Sequence, residues 1–230
     1  MKGKHLAAFI ILILLADQAL KFYIKTNYYL SEEHRIIGSW FRLHFVENPG
    51  MAWGWTLDLF GEHGKLVLTL FRLVACVVGV FYLRTITRKG YHKGFIICAG
   101  LIYAGALGNL IDSMFYGLIF DSSDLYLQNV AKLFPTGGGY ASFLHGKVVD
   151  MFYFPIITGV NFPSWFPFWG GEPFEFFRPV FNIADVSISA GVIAILVFQS
   201  RFFPQPAKDT SKEKGPDEAP KNINESKPVI

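Results

Sequence analysis

Four long apolar segments alternate with polar stretches along the chain. They run over about residues 5–25, 64–86, 94–116 and 182–201. A bilayer core of about 30 Å is crossed by roughly 20 predominantly apolar residues in a helix. The pattern therefore predicts an all-α integral membrane protein with four transmembrane helices, built as one domain over residues 1–203.

The charges of the loops predict how these helices are oriented. Residues 84–93, between the second and third apolar segments, contain four Lys and Arg residues and no acid. Short basic loops stay in the cytoplasm, and the basic N-terminus with Lys2 and Lys4 agrees. Both termini are therefore expected in the cytoplasm, and the loops 27–63 and 117–181 on the outer, periplasmic side.

The two outer loops carry patterns typical of strands rather than helices. Residues 40–46 alternate between apolar and polar side chains, and residues 145–154 indicate a strand in which Asp150 lies among apolar neighbours. The Pro-rich aromatic run 162–169 is typical of a segment at the lipid interface, although ordinary loop packing also explains it. The polar tail 204–230 is expected to be disordered in the cytoplasm.

Composition narrows the classes of function. The chain is 52% hydrophobic and only 17% charged, which is typical of a membrane protein. Its net charge of +3 includes no long basic run, so nucleic-acid binding is not expected. The six histidines show no ligand spacing and the two cysteines lie in apolar segments, so neither a metal nor another cofactor is predicted.

Polar residues of the predicted helices collect at one depth of the membrane. Asp17 and Lys21 are four residues apart on one helix face and can neutralise each other. Carboxylates inside a membrane are costly, so a cluster of them at one depth indicates a functional site. The cluster comprises Asp17, Asn109, Asp112, Asn182 and Asp185 near the outer edge, with Asn48, Gly50 and Asp150 in the loops on that side.

Two interpretations of Asp185 stand side by side. Asn182 and Asp185 have the spacing of a helix N-cap and its third residue, which would make Asp185 a structural cap. Alternatively, Asp185 and Asp150 approach one place as the two carboxylates of a functional pair. Carboxylates held close share a proton, so one can act as base and the other as acid in hydrolysing a peptide with water.

Four blocks of the chain resemble the bacterial lipoprotein signal peptidases, the signal peptidase II family. Each block alone is a weak signal, but all of them in this order are specific, and they cover residues 17–188. The blocks are Asp17-Gln18-x-x-Lys21; Asn48-x-Gly50-x-Ala52-Trp53-Gly54; Gly105-Ala106-x-Gly108-Asn109-x-Ile111-Asp112; and Val148-Val149-Asp150 with Phe181-Asn182-x-Ala184-Asp185.

The resemblance implies an aspartyl endopeptidase of the bacterial inner membrane. It would cleave the signal peptide of a diacylglyceryl-modified prolipoprotein before the lipidated cysteine, with Asp150 and Asp185 as catalytic pair. A small β-cradle would lie on the membrane surface, and globomycin-like cyclic peptides would occupy the site. We expect a monomer in contact with membrane lipid. The supporting positions implied are Asp17, Lys21, Asn48, Gly50, Gly108, Asn109, Asp112, Asn182 and Ala184.

The chain departs from the family pattern in two places. The family usually has Arg directly after the Asp of the third block, where this chain has Ser113. Our hypothesis is that Arg72 of the second helix supplies the missing positive charge. In addition, residues 118–144 and 156–178 resemble insertions relative to the family pattern. Their candidate roles are a lid or a flap that rests on lipid.

Two other classes of function are compatible with a small polytopic protein. A transporter or channel subunit would place its carboxylates at the bilayer midplane and show repeat symmetry. A scaffold would use the small residues of the helices for packing, but it gives no reason for the aspartates. Neither class explains carboxylates gathered at the outer edge.

Overall fold

The structure is a computed structural model that describes residues 2–49, 63–167, 170–176 and 179–203. The predicted supporting residue Gly50 lies outside the described residues. The predicted disordered tail, 204–230, also lies outside them.

Helices make up most of the described chain. Three of them are long and apolar enough to cross a membrane, and α4 is a shorter apolar helix. The fourth predicted segment, 182–201, divides at Phe198, whose backbone leaves helical geometry at φ −103° and ψ 18°. The helices are α1 (Gly3–Asn27), α2 (Gly64–Arg88), α3 (Lys93–Ile119), α4 (Ile183–Val197) and α5 (Gln199–Phe202).

Helix α3 is the centre of the helical part, because α1, α2 and α4 all pack against it. Its contact with α4 is unusually close. A Cβ atom built on Gly105 would lie 2.2 Å from the backbone oxygen of Ala184, and one on Gly191 would lie 2.7 Å from that of Cys98. Small residues let helix backbones approach in this way. The short distance brings the start of α4 directly against α3.

The end of the helices near residues 84–93 is filled with apolar side chains. Leu6, Leu83 and Phe95 belong to one buried cluster there, to which Phe202 contributes from α5. Cys76 and Cys98 are both buried and unbonded to one another, as expected for small core residues. The buried polar residues Asn109 and Asp112 of α3 lie toward the opposite end of that helix.

Four strands form an antiparallel sheet in the order β1-β2-β3-β6. Strand β2 pairs with β3 so that Val46 lies opposite Asp150, and β3 pairs with β6 so that Phe152 lies opposite Phe181. Because β6 runs directly into α4, the sheet carries Asp150 to the start of that helix. The strands are β1 (Glu33–Ile37), β2 (Phe41–Asn48), β3 (Val148–Tyr153) and β6 (Val180–Phe181).

A separate hairpin lies between β3 and β6. Its strands β4 (Ile157–Asn161) and β5 (Pro173–Phe176) are antiparallel partners. The hairpin coincides with the predicted insertion 156–178, and Trp165 at its turn is 77% exposed. Strand β1 and this hairpin are not anticipated by the sequence pattern. The prediction of a mostly helical protein with a small antiparallel sheet is confirmed, while four spans and the outer location of the loops stay predictions.

A buried lysine fastens the other insertion, 118–144, to the sheet. Lys25, at the end of α1, is fully buried and forms an ion pair with Glu47 of β2. Its ammonium group also donates to Ser123 Oγ at 2.9 Å and lies 5.0 Å from the centre of the Tyr140 ring. A buried charge needs such partners to offset its desolvation. The insertion is thus part of the packed structure around β2.

Candidate active site

The first turn of α4 is held by a reciprocal cap. Asp185 N donates to Asn182 Oδ1 at 3.0 Å, and Asn182 N donates to Asp185 Oδ2 at 3.3 Å. A third group comes from α1, where Asp17 Oδ1 accepts from Ala184 N at 2.9 Å. The predicted cap is therefore confirmed. It leaves Asp185 Oδ1 to accept from Asn109 Nδ2 of α3 at 2.9 Å.

Asp150 lies on β3 and is only 2% exposed. Asn182 Nδ2 donates to its Oδ1 at 2.6 Å, and Asn48 Nδ2 donates to its Oδ2 at 3.1 Å. Burial raises the pKa of Asp150 to about 7, and the nearby charge of Asp185 contributes in the same direction. This carboxyl group therefore retains its proton far above the pH at which an exposed aspartate ionises.

A buried lysine supports the site from beneath. Lys21 Nζ lies 2.8 Å from Asp17 Oδ2 and 2.7 Å from Asp112 Oδ2, so the predicted pairing of Asp17 with Lys21 is confirmed. It also donates to Asn109 Oδ1 at 2.9 Å. Because Asn109 in turn donates to Asp185, the ammonium group fixes which way that carboxamide points.

Gly108 makes room for this network. A Cβ atom at this position would lie 2.8 Å from Asp17 Oδ2 and 3.3 Å from the Cβ of Ala184. Any larger residue would displace the carboxylate that caps α4. The small side chains at 108 and 184 therefore have a steric reason that sequence alone does not reveal.

Both aspartates line one cavity of about 420 Å³. Its polar side is formed by the carboxylates, two asparagines, an arginine and a serine, and its other walls are mainly apolar. The polar lining residues are Asn48, Arg72, Asn109, Asp150, Asp185 and Ser189, and the others are Ala106, Val148, Pro179, Val180, Phe181 and Ile188. Such a cavity suits a partly apolar ligand with one polar group to be bound or cleaved.

Two cationic side chains of α2 contact Ser113, the residue that departs from the family pattern. Lys65 Nζ lies 3.2 Å from Ser113 Oγ, and Arg72 Nη1 lies 3.4 Å from the same atom. Ser113 is fully buried and its hydroxyl donates to Asn109 O at 3.0 Å. The arginine is thus where the hypothesis from the sequence requires it, beside Ser113 and in the wall of the cavity.

The structure brings nearly all the predicted site residues into one connected network. Those it places are Asp17, Lys21, Asn48, Gly108, Asn109, Asp112, Asp150, Asn182, Ala184 and Asp185. The described residues contain no group of three or more His, Cys, Asp or Glu side chains that could hold a metal ion.

Two participants were missed by the sequence reasoning. Gln18 Nε2 donates to Asp112 Oδ1 at 2.8 Å, and its Oε1 accepts from Tyr116 at 3.2 Å. Lys65 is the other. Its signal was available in the sequence, because it precedes Arg72 by seven residues and so shares its helix face.

A family model described as signal peptidase (SPase) II matches residues 9–201. The chain belongs to the signal peptidase II family. The match runs from within α1 to within α5 and includes the strands between them, so it confirms the resemblance found in the sequence blocks. Membership in this family, together with the apolar helices, makes the chain a bacterial membrane protein of a peptidase family.

Individual relatives agree with the family match. A lipoprotein signal peptidase of Porphyromonas gingivalis is 51% identical over 201 residues, which cover 87% of this chain and 84% of the relative. One from Syntrophus aciditrophicus is 33% identical over 186 residues, covering 81% and 86%. One from Amoebophilus asiaticus is 30% identical over 201 residues, covering 86% and 78%.

Solved structures show the same fold at lower identity. A bacterial membrane enzyme determined by the in meso method at 2.3 Å is 21% identical, with a TM-score of 0.54 over 94% of this chain and 95% of the other. A second, determined at 1.9 Å, is 23% identical with a TM-score of 0.52, covering 90% and 95%. The arrangement of helices and sheet described above is therefore a fold already seen in membrane enzymes.

Proposed function

We propose that this protein is a lipoprotein signal peptidase that acts with an aspartate pair. It hydrolyses the peptide bond before the diacylglyceryl-modified cysteine of a prolipoprotein and so releases the signal peptide. The observation that carries the proposal is that Asp150 and Asp185, from a strand and a helix, line one cavity and share the carboxamide of Asn182. Family membership supports the substrate class.

The chemistry follows from one proton held between two carboxylates. The ionised member accepts a proton from water, whose oxygen attacks the scissile carbonyl carbon, while the protonated member donates to the carbonyl oxygen. The C–N bond then breaks and the amine nitrogen takes up a proton from the pair. The raised pKa of Asp150 supports this assignment, because the pair keeps a proton at mildly acidic to neutral pH.

The walls of the cavity fit a substrate that is partly in lipid. Phe181 and Ile188 provide apolar contacts beside the carboxylates. The basic loop 84–93 is at the other end of the helices, so the positive-inside rule supports a cavity near the outer face of the inner membrane, with both termini in the cytoplasm. Globomycin-like cyclic peptides are expected to compete for this cavity, and the protein is expected to act as a monomer.

The test is cleavage of a diacylglyceryl-modified prolipoprotein by the purified protein in lipid. Asp150→Asn and Asp185→Asn keep the shape of each side chain but remove its proton chemistry. Each should lower kcat by a factor of about 10² to 10⁴, the range of general acid–base contributions. Glu172→Gln, which changes an exposed acid between the hairpin strands, should cleave like the unchanged protein.

Thermal unfolding of each variant shows whether it is folded. Substantial turnover by a folded Asp150→Asn or Asp185→Asn protein would exclude the aspartate pair. Rapid cleavage of the same prolipoprotein without its lipid would show that the substrate class is wrong.

A further inference from the structure

Arg72 occupies a position that the aspartate pair alone does not explain. It lies eight residues from the start of α2, in the wall of the cavity, together with Asp150 and Asp185. An arginine inside a predicted membrane span is costly and marks a functional position. Its guanidinium is anchored at 3.4 Å on Ser113 Oγ, a fully buried hydroxyl of α3.

The other cations nearby have different surroundings. Lys21 is enclosed by Asp17, Asp112 and Asn109 at 2.7–2.9 Å and does not line the cavity. Lys65 contacts Ser113 but does not line the cavity either. Arg72 is the one cationic side chain among the described residues that line the cavity.

The charges around the cavity favour such a cation. Lys21 with Asp17 and Asp112 carries a net charge of −1 when both acids are ionised, and the working aspartate pair adds another −1. Asp185, Asp112 and Asp150 are all near enough to act electrostatically on the Arg72 guanidinium. Without that positive charge the buried anions would repel each other, and protonation of both members of the pair would be favoured.

We propose that Arg72 is a positioning residue of the peptidase site, held on Ser113 so that its guanidinium keeps the aspartate pair in the singly ionised form. The proposal rests on the proposed function. It assigns Arg72 an electrostatic role toward the pair and no contact with the scissile bond.

The pH dependence of catalysis measures this role directly. The ionisable and charged groups that face the pair come from every element packed around it: Lys21 and Asp17 from α1, Lys65, Arg72 and Cys76 from α2, Asp112 from α3, and Asp150 and Asp185 themselves. The test removes only the Arg72 guanidinium, but that charge also acts on the ammonium group of Lys65, so a change in the profile includes the response of Lys65.

The experiment compares Arg72→Gln, Arg72→Lys and Arg84→Gln for cleavage of the diacylglyceryl-modified prolipoprotein across pH. Loss of a nearby opposite charge moves a carboxyl pKa by about 1–3 units. We therefore expect Arg72→Gln to move the acidic limb of kcat/KM upward by about one pH unit, which lowers kcat/KM about tenfold at pH values below the limb. Arg72→Lys should keep the limb near its original position. Arg84→Gln, twelve residues along the same helix and exposed, should match the unchanged protein.

If Arg72→Gln does not fold, a double variant tests the same electrostatic role of the arginine. Ser113 Oγ is within 3.4 Å of the guanidinium, so an arginine at 113 can reach the volume vacated by an alanine at 72. The Arg72→Ala/Ser113→Arg protein should regain the original pH profile. A folded double variant with a displaced acidic limb would overturn the proposal.

Other outcomes separate this proposal from the proposed function. An unchanged pH profile in Arg72→Gln with only a raised KM would assign Arg72 to substrate binding. An unchanged profile with only a lower melting temperature would make it structural, and either result overturns the proposal. Both can occur while Asp150→Asn and Asp185→Asn remain inactive, in which case the aspartate pair stands and the role of Arg72 alone is wrong.

Discussion

Asn182 is the residue on which the two carboxylates converge. Its side-chain oxygen accepts from the backbone of Asp185, and its side-chain nitrogen donates to Asp150 at 2.6 Å. Leu could perform neither task and an ionised Asp only the first, because an ionised carboxylate only accepts whereas a carboxamide both accepts and donates. The cap and the site, which the sequence leaves as alternatives for Asp185, are therefore two parts of one arrangement.

The proton on Asp150 links stability to pH. Its pKa is raised from an ordinary value of 3.8 to about 7, so between these values the folded protein holds a proton that the unfolded chain releases. The stabilisation contributed by Asp150 is therefore fully present below about pH 4 and is lost as pH rises through 7, by up to about 4 kcal/mol.

Thermal unfolding in detergent at pH 4.5 and 7.5 tests this linkage. The melting temperature should fall more steeply with pH for the unchanged protein than for Asp150→Asn, whose carboxamide cannot ionise. Equal pH slopes for the two proteins would show that Asp150 is not the group responsible.

The contact between α3 and α4 sets the position of Asp185. At Gly105 a Cβ atom would lie 2.2 Å from Ala184 O and 2.7 Å from Ile188 Cγ1, so Gly105→Ala must push α4 away. We expect a loss of stability of at least about 1–3 kcal/mol, typical of overpacking, and a large loss of cleavage. Gly3→Ala is the matched control, because nothing lies within 4 Å of its Cβ.

Melting temperature and cleavage rate are measured for both glycine variants. A Gly105→Ala protein that cleaves and melts like the unchanged protein would show that α4 can shift without moving Asp185.

The sequence predicts a structural element best where the residues of that segment alone determine it. Apolar runs indicate the helices, and the spacing of Asn182 and Asp185 indicates a cap that the structure contains. Pairings between distant segments are not visible in this way. Lys25 resembles an ordinary basic residue at a helix end, yet it is buried against Glu47, because a strand 22 residues later folds back over it.

The sequence predicts which residues belong to the site better than it predicts which of them contact one another. The sequence blocks place Asp17, Asn109 and Asp150 in one group, but they do not show that Asp17 caps α4 or that Asn109 joins Lys21 to Asp185. Those links depend on the close approach of α3 and α4 and on the rotamers of buried side chains. The spacing of Lys65 from Arg72 indicates a shared helix face, but its contact with Ser113 is not visible in the sequence, because Ser113 has no charge to suggest a pair.

The molecule as a whole is polar at one end and apolar at the other. Helix α3 carries Asn109 and Asp112 into the ionic network, while Phe95, near its beginning, packs in the apolar cluster with Leu6. A transporter would require its polar groups at the bilayer midplane. The observed distribution instead fits a site at one surface of the membrane.

Cysteine labelling tests the proposed topology. In a chain with Cys76 and Cys98 replaced by Ala, we expect Tyr126→Cys to react with a membrane-impermeant maleimide in intact spheroplasts. Tyr126 is 92% exposed in the insertion 118–144. Lys89→Cys, in the basic loop, should react only after lysis. The reverse pattern would invert the topology, and the cysteine-free chain provides the background.

Helix α4 has only 15 residues, or about 22 Å at 1.5 Å per residue, against a hydrocarbon core of about 30 Å. In the proposed topology this hydrophobic mismatch is met by a bilayer that thins around α4. The polar start of the helix then draws headgroups and water inward on the side of Asp185. In the proposed function water is consumed at this thinned region, and a bond near the membrane surface would reach the site without leaving the lipid.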